Sequence, residues 1–386
     1  MRKQSARASL LIEHIRAACM RSTRLCNLRL PAAALLSLGS LSPVFAGPSG
    51  GVVVAGQGTI STPVAGTTVI EQASPHLQVD WRSFDVAVGE RVQFRQPSSA
   101  AVALNRILAH NPSQILGSLE ANGKVVLVNP NGLVFGPSAR INVGSLVASS
   151  LEVVGFDATS GRFSFGDVSG RAGAVINQGQ IGAAPGGSVT LLGGQVSNTG
   201  SIIADFGTVN LAAGRTATID LAGDGLLRLE VDAELVTNAG GAAAAVDNAG
   251  NIQANGGRVL LTAQALDGVF ANLVNNDGTV RANRIDHSGG TIRLVGAGGT
   301  VRSSGTLDAS AGDALSDGGR VEVLGERVGL FGEAVVDVSG ARHGGTALIG
   351  GDYQGNNPQV PNAARTYVGA NARIAADAGA PGDGGR

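Results

Sequence analysis

Residues 125–150 read VVLVNPNGLVFGPSARINVGSLVASS, and the reading of this stretch decides the fold. Val125, Val126, Leu127 and Val128 form one apolar run, and Leu133, Val134 and Phe135 form another. Between them, Asn129-Pro130-Asn131-Gly132 carries turn chemistry at each position. Proline presets φ for the first central residue, asparagine tolerates the second, and glycine closes the turn. Short aliphatic runs flanking such a turn predict strand, turn, strand.

Upstream, strand-like runs recur at Val52-Val53-Val54, Thr67-Thr68-Val69-Ile70, Leu77-Gln78-Val79 and Arg91-Val92-Gln93-Phe94, while residues 101–108 fit either helix or strand. Downstream, a two-part repeat takes over. One part is Asn-x-Gly-x-aliphatic: Asn177-Gln178-Gly179-Gln180-Ile181, Asn198-Thr199-Gly200-Ser201-Ile202, Asn248-Ala249-Gly250-Asn251-Ile252, Asn276-Asp277-Gly278-Thr279-Val280, and a diverged Ser303-Ser304-Gly305-Thr306-Leu307. The other puts Gly before alternating apolar residues, as in Gly207-Thr208-Val209-Asn210-Leu211 and Gly319-Arg320-Val321-Glu322-Val323. A spacing of about 20 to 28 residues, with one longer gap from Asn198 to Asn248, matches one or two coils of a parallel β-solenoid.

A short strand cannot bury its apolar face alone, whereas stacked coils bury those faces in a continuous interior. The expected fold is all-β: a right-handed parallel β-helix with N-terminal capping strands and extra-helical hairpins. Gly is expected to supply positive φ at corners, and Asn to tolerate that conformation, bond its own backbone or stack in a ladder. Residues 211–248 are expected to hold an insertion loop or an extra-helical hairpin.

Composition agrees with a thin, repetitive interior. Of 386 residues 59 are Gly and only 3% are aromatic, so bulky core packing is not available. Residues 1–46 hold seven of the 28 basic residues and one of the 29 acidic ones, which leaves 21 basic against 28 acidic beyond them. Lys124 is the only lysine of that remainder, and no basic cluster exists to neutralise phosphates, so no nucleic-acid partner is expected.

The basic start, the apolar residues 30–41 and Val44-Phe45-Ala46 read as an extended export signal, or one preceded by a misassigned start with Met20 as the alternative, cleaved between Ala46 and Gly47. Export through the inner membrane by the Sec machinery follows. Cys19 and Cys26 both lie in this signal, which leaves the mature chain without disulfide, thiol or thiolate chemistry.

Catalytic candidates are scattered: Asp205, Asp220, Asp232, Glu234, Asp247, Asp286, His287, Arg293 and Glu322. Adjacency of Asp286, His287 and Ser288 in sequence is not triad geometry. The five His show no ligand spacing, and the Gly296–Gly299 cluster lacks the context of a nucleotide fingerprint. No enzyme activity, metal or cofactor is expected.

Asn129-Pro130-Asn131-Gly132, Ala139-Arg140-Ile141-Asn142-Val143-Gly144 and Leu146-Val147-Ala148-Ser149-Ser150, preceded in order by Trp81-Arg82-Ser83-Phe84, Leu104-Asn105-Arg106-Ile107 and Asn111-Pro112-Ser113-Gln114-Ile115-Leu116-Gly117, resemble the filamentous haemagglutinin N-terminal domain, the two-partner secretion (TPS) domain. The second family motif, NPNL, is absent, which is similar to the branch lacking it. The resemblance implies a secreted or cell-surface exoprotein of the TpsA type that passes the periplasm and leaves through a TpsB-type outer-membrane transporter. It implies an adhesin or haemagglutinin that meets a host or surface glycan or protein receptor. It assigns Asn129, Pro130, Asn131, Gly132, Asn105, Arg106, Asn111 and Pro112 to the recognition and secretion motif. The expected division is a signal at 1–46, a secretion domain at 47–300 with its signature at 75–151, and the start of a repetitive stalk at 301–386. Residues 377–386 parallel residues 308–320, which lead into Val321-Glu322-Val323, so a fragment of a longer exoprotein is expected. The rivals are a secreted polysaccharide-degrading β-helix and the export module of a larger toxin.

Overall fold

The computed structural model describes residues 47–386 except 158–160, 171, 221–228, 234, 236–237, 239–240, 287–288 and 380–381. The expected signal, with Ala46, Cys19 and Cys26, lies outside the described residues, as do Glu234, His287 and Ser288.

The chain winds as a three-faced parallel β-helix. Face A stacks His76–Trp81, Val102–Ile107, Lys124–Val128, Ser145–Ser149, Ser188–Gly193, Thr208–Ala213 and Arg258–Gln264. Face B stacks Ser113–Ile115, Leu133–Phe135, Ala174–Asn177, Gln195–Asn198, Ala244–Asn248 and Asn272–Asn276. Face C stacks Arg91–Arg95, Ser118–Ala121, Arg140–Val143, Gln180–Ala183, Ser201–Ile203, Asn251–Gln253 and Thr279–Arg281. Every one of these pairings is parallel. Faces A and B belong to one sheet because Thr291–Ser303 and Arg320–Leu330 round the corner as continuous strands, with a register shift between Gly296 and Thr300.

In-register stacking places like on like. Leu127, Ala148, Leu191, Leu211, Leu261, Leu294 and Val323 form one inward column of face A, each buried. A thin core of aliphatic residues is therefore shared by all coils, with most of its rings (Trp81, Phe84, Phe94, Phe135) in the first ones and Phe270 in a later one. The ambiguous residues 101–108 form the strand Val102–Ile107, because both its neighbours offer parallel ladders.

The capping strands are present. Val52–Ala55 runs antiparallel along His76–Trp81, and the hairpin of Gly58–Val64 and Thr67–Gln72 joins face C beside Arg91–Arg95. Outside the helix lies a four-stranded antiparallel sheet of Glu152–Asp157, Arg162–Gly166, Thr216–Asp220 and Leu229–Ala233. Its second half falls in the expected 211–248 insertion; its first half is an additional hairpin. Phe163, Phe165, Ala217 and Ile219 of this sheet bury the outward side of face A at Leu104, Val126, Val128, Val147, Leu192 and Ala212.

The repeat resolves to one coil per step, and one expectation about its asparagines is corrected. The repeat asparagines do not occupy positive φ. Asn177, Asn198, Asn248 and Asn276 are fully buried and stack in the expected ladder, each Nδ2 of the first three donating to the Oδ1 of the next at 2.7–2.8 Å and Asn276 closing on Ser303 Oγ at 3.2 Å. Glycine does supply positive φ at other corners, as at Gly132, Gly186, Gly256 and Gly290, but Gly200, Gly250, Gly278 and Gly305 serve differently. A Cβ at Gly200, Gly250, Gly278 or Gly305 would collide with the carbonyl oxygen of Gly179, Gly200, Gly250 or Gly278 one coil earlier. Close backbone approach between coils is the reason for glycine there.

Candidate functional site: the secretion-signature corner

The Asn129-Pro130-Asn131-Gly132 segment turns the chain from face A (Lys124–Val128) to face B (Leu133–Phe135). Gly132 N donates to Asn129 O at 2.9 Å, closing the turn, and Gly132 has φ +114°, where a side chain would be strained and would press on Ala174 O. Asn131 N donates to Asn129 Oδ1 at 3.0 Å, so the first asparagine shapes its own turn.

The same turn clamps its neighbours. Asn129, fully buried, donates through Nδ2 to Asn111 O at 3.1 Å and Ser113 Oγ at 3.0 Å. Asn131 Nδ2 donates to Ala109 O at 2.7 Å. On the other side Asn129 N donates to Ser149 O and Gly173 N to Pro130 O, both at 3.0 Å. Three successive coils meet at this corner. Asn111 and Pro112 are thus brought to Asn129 and Asn131, with Asn111 contributing its carbonyl and keeping an exposed side chain. Ser113, quoted within the upstream motif but not assigned a role, is the side-chain partner that sequence reading missed.

Asn105 and Arg106 serve a different place. Asn105 points inward from face A, accepts from Trp81 Nε1 at 2.9 Å and donates to Ala103 O at 3.1 Å, which satisfies a polar side chain in the core. Arg106 points outward and makes a two-pronged ion pair with Asp80, Nε to Oδ1 at 2.8 Å and Nη2 to Oδ2 at 2.6 Å. The Asp80 hydrogen bonds raise the Arg106 guanidinium above its ordinary value, against the opposing effect of burial. Its side chain remains 41% exposed, so the pair positions Arg106 more than it stabilises the fold.

The carboxylates weighed as catalytic lie on different faces. Asp205 sits at a corner and accepts from Gln253 Nε2 and Asn255 N of the next coil. Asp247 bonds Asn275 on face B, and Glu322 takes Arg293 and Arg320 on face A. Asp220 lies on the outer sheet, as does the strand that contains Asp232, while Asp286 stands at a corner where its N–H donates to Asp313. Among the described residues no three His, Cys, Asp or Glu converge as a metal site.

A family model, the TPS secretion domain, matches residues 46–309, more than half of the chain. The chain belongs to the TPS secretion domain family. As a TPS protein it is an exoprotein of the two-partner secretion pathway. The crystal structure of the HMW1 secretion domain from Haemophilus influenzae superposes with a TM-score of 0.74 at 28% identity, covering 86% of this chain and 84% of that one. Two heme/hemopexin-binding proteins are also similar. The one from Haemophilus influenzae strain Rd is 39% identical over 183 residues, 45% of this chain and 20% of that protein. The other, also from Haemophilus influenzae, is 42% identical over 112 residues, 29% of this chain and 12% of that protein. The TPS chain therefore spans a fifth or less of these curated relatives' length.

Proposed function

We propose that residues 47–300 act as the export module of a secreted adhesin or haemagglutinin, captured in the periplasm by a cognate TpsB-type outer-membrane transporter after Sec-dependent crossing of the inner membrane. The single observation that carries the reading is the Asn129–Gly132 corner, a clamp on three coils in a chain of the TPS family. Asn129, Pro130, Asn131 and Gly132 fold the corner, Asn111 and Pro112 are its receiving edge, and Asn105 with Arg106 order the adjacent strand. Cleavage between Ala46 and Gly47 releases the signal. The boundary at residue 300 is one of role, since the strand Thr291–Ser303 runs across it and the coils continue through 301–386. A host or surface glycan or protein receptor is the partner outside the cell.

The shared stretch in the heme/hemopexin-binding relatives supports a common export module and carries no ligand with it. A polysaccharide-degrading enzyme needs an acid and a base converging on one groove. The carboxylates here are dispersed and serve as ties between coils, which favours a non-enzymatic adhesin. The test is secretion from cells with and without the transporter gene. Asn129→Ala leaves Asn111 O and Ser113 Oγ without their donor, a loss of about 2 kcal/mol, and is expected to leave protein in the periplasm. Undiminished protein in the medium without the transporter sinks the proposal.

A further inference from the structure

Glu90 is 3% exposed, at the start of the strand Arg91–Arg95 beneath the N-terminal cap. One carboxylate oxygen, Oε2, accepts from Ala87 N at 2.7 Å. The other, Oε1, is buried and has no hydrogen-bond partner. A buried carboxylate with one neutral donor is costly unless a charge is supplied. It faces a cavity of about 200 Å³ bounded by Thr62, Gly66, Thr67, Thr68 and the Gly47-Pro48 segment. The other charged residue lining it, Arg91, is engaged with Glu120 at 3.1 Å.

The missing charge is next to it. A carbon placed on Gly47 Cα in the direction of a side chain would lie 3.8 Å from Glu90 Oε1, 3.9 Å from Oε2 and 3.7 Å from Thr68 Oγ1. While Ala46 is attached, Gly47 N is a neutral amide. Hydrolysis of the Ala46–Gly47 bond adds water, leaving a carboxylate on Ala46 and an ammonium on Gly47. A terminal ammonium is free to rotate about Cα–C, and its bond to Cα, about 1.46 Å, is nearly that of a Cβ. Rotation therefore brings it to ion-pairing distance of Glu90. Two residues further on, Ser49 is tied to Ser83 O through its N–H at 2.9 Å, so the new terminus cannot drift away. Glycine leaves the cavity clear for the amine.

We infer that the Gly47 α-ammonium created by signal cleavage is the buried counter-ion of Glu90, so that the N-terminal cap is completed only in the processed chain. The inference rests on the export reading solely for a leader cleaved at Gly47.

The test uses the mature protein collected from the medium. N-terminal sequencing should begin at Gly47. Reductive methylation with formaldehyde and cyanoborohydride at neutral pH, followed by peptide mass mapping, then compares the α-amine with Lys124, the one lysine of residues 47–386. An ion pair that raises the amine's pKa by one unit slows its labelling by about tenfold. Wild type should show that slowing, and Glu90→Gln should restore fast labelling. A second variant carrying an extra alanine before Gly47 keeps Glu90 but displaces the amine, and should label fast as well. A mature chain starting elsewhere, or equal labelling in wild type and Glu90→Gln, overturns the inference. Either result leaves secretion into the medium, and with it the export reading, standing.

Discussion

Face A carries the same inward columns along its length, yet its outward side differs between the first coils and the later ones. One outward column runs Leu104, Val126, Val147, Thr190, Asn210, Leu260, Arg293, Glu322. Under the four-stranded sheet it is aliphatic, then it becomes a hydrogen-bonded Asn210–Thr190 pair, and beyond the sheet it ends in charges. Coil stacking needs only one apolar side. The second apolar side of the early coils holds the outer sheet, so the secretion-signature region is a two-layer object, whereas in the later coils a second apolar layer is confined to the small cluster of Leu324, Leu348 and Val360.

The largest expected effect breaks the two-layer region. Val126→Arg puts an unpaired charge beneath Phe163 and Phe165 and should cost more than about 4 kcal/mol, whereas Arg258→Val, on the exposed side of a later coil, should shift stability by less than about 1 kcal/mol. Urea melts followed by circular dichroism read both. Next, Phe165→Ala removes a ring that is 1% exposed and should cost about 3 kcal/mol; an equal loss from Leu260→Ala, half-buried in the same outward column of a later coil, would erase the contrast.

The asparagine ladder is common to both regions and sharpens the comparison. Asn198→Ala strands the Asn177 donor and the Asn248 acceptor and should cost about 2 kcal/mol. Asn248→Ala should cost the same, although it lies beyond the outer hairpins.

The smallest effect is a pH dependence of the later coils. Burial pushes the Asp308 carboxyl up, but hydrogen bonds from Ser310 and the Arg281 guanidinium outweigh it and hold the group below its ordinary value. A depressed folded value stabilises above the unfolded pKa of about 3.9 and is lost as pH falls through the folded one. Thermal stability should be flat from neutral to about pH 5 and decline below, less steeply in Asp308→Asn.

The solenoid was legible because its period is written in small residues: Asn and Gly recur where coils touch most closely. Their reasons were less legible. Positive φ and close approach both select glycine, and only the stacked backbones of Gly179, Gly200 and Gly250 distinguish them. The hairpin of Glu152–Asp157 and Arg162–Gly166 repeats nowhere, so no period announces it. A signal for it was present in Val125–Val128, four apolar residues without alternation, against Ile292-Arg293-Leu294 downstream; unbroken runs mean burial on both sides. At the signature corner the turn was readable from Asn, Pro and Gly, but its grip on Ala109, Asn111 and Ser113 depends on which coil lies beneath it. Glu90 gives no warning in sequence at all.

The ladder has a direction. Every amide in it donates toward the C-terminal coil, from Asn177 through Asn198 and Asn248 to Asn276 and Ser303. The last coil laid down always presents an unspent N–H₂, and the incoming coil answers it with an acceptor. Undoing any tooth in the middle exposes a donor on one side and an acceptor on the other. A chain threaded outward head first would meet this ladder in the order in which it can close.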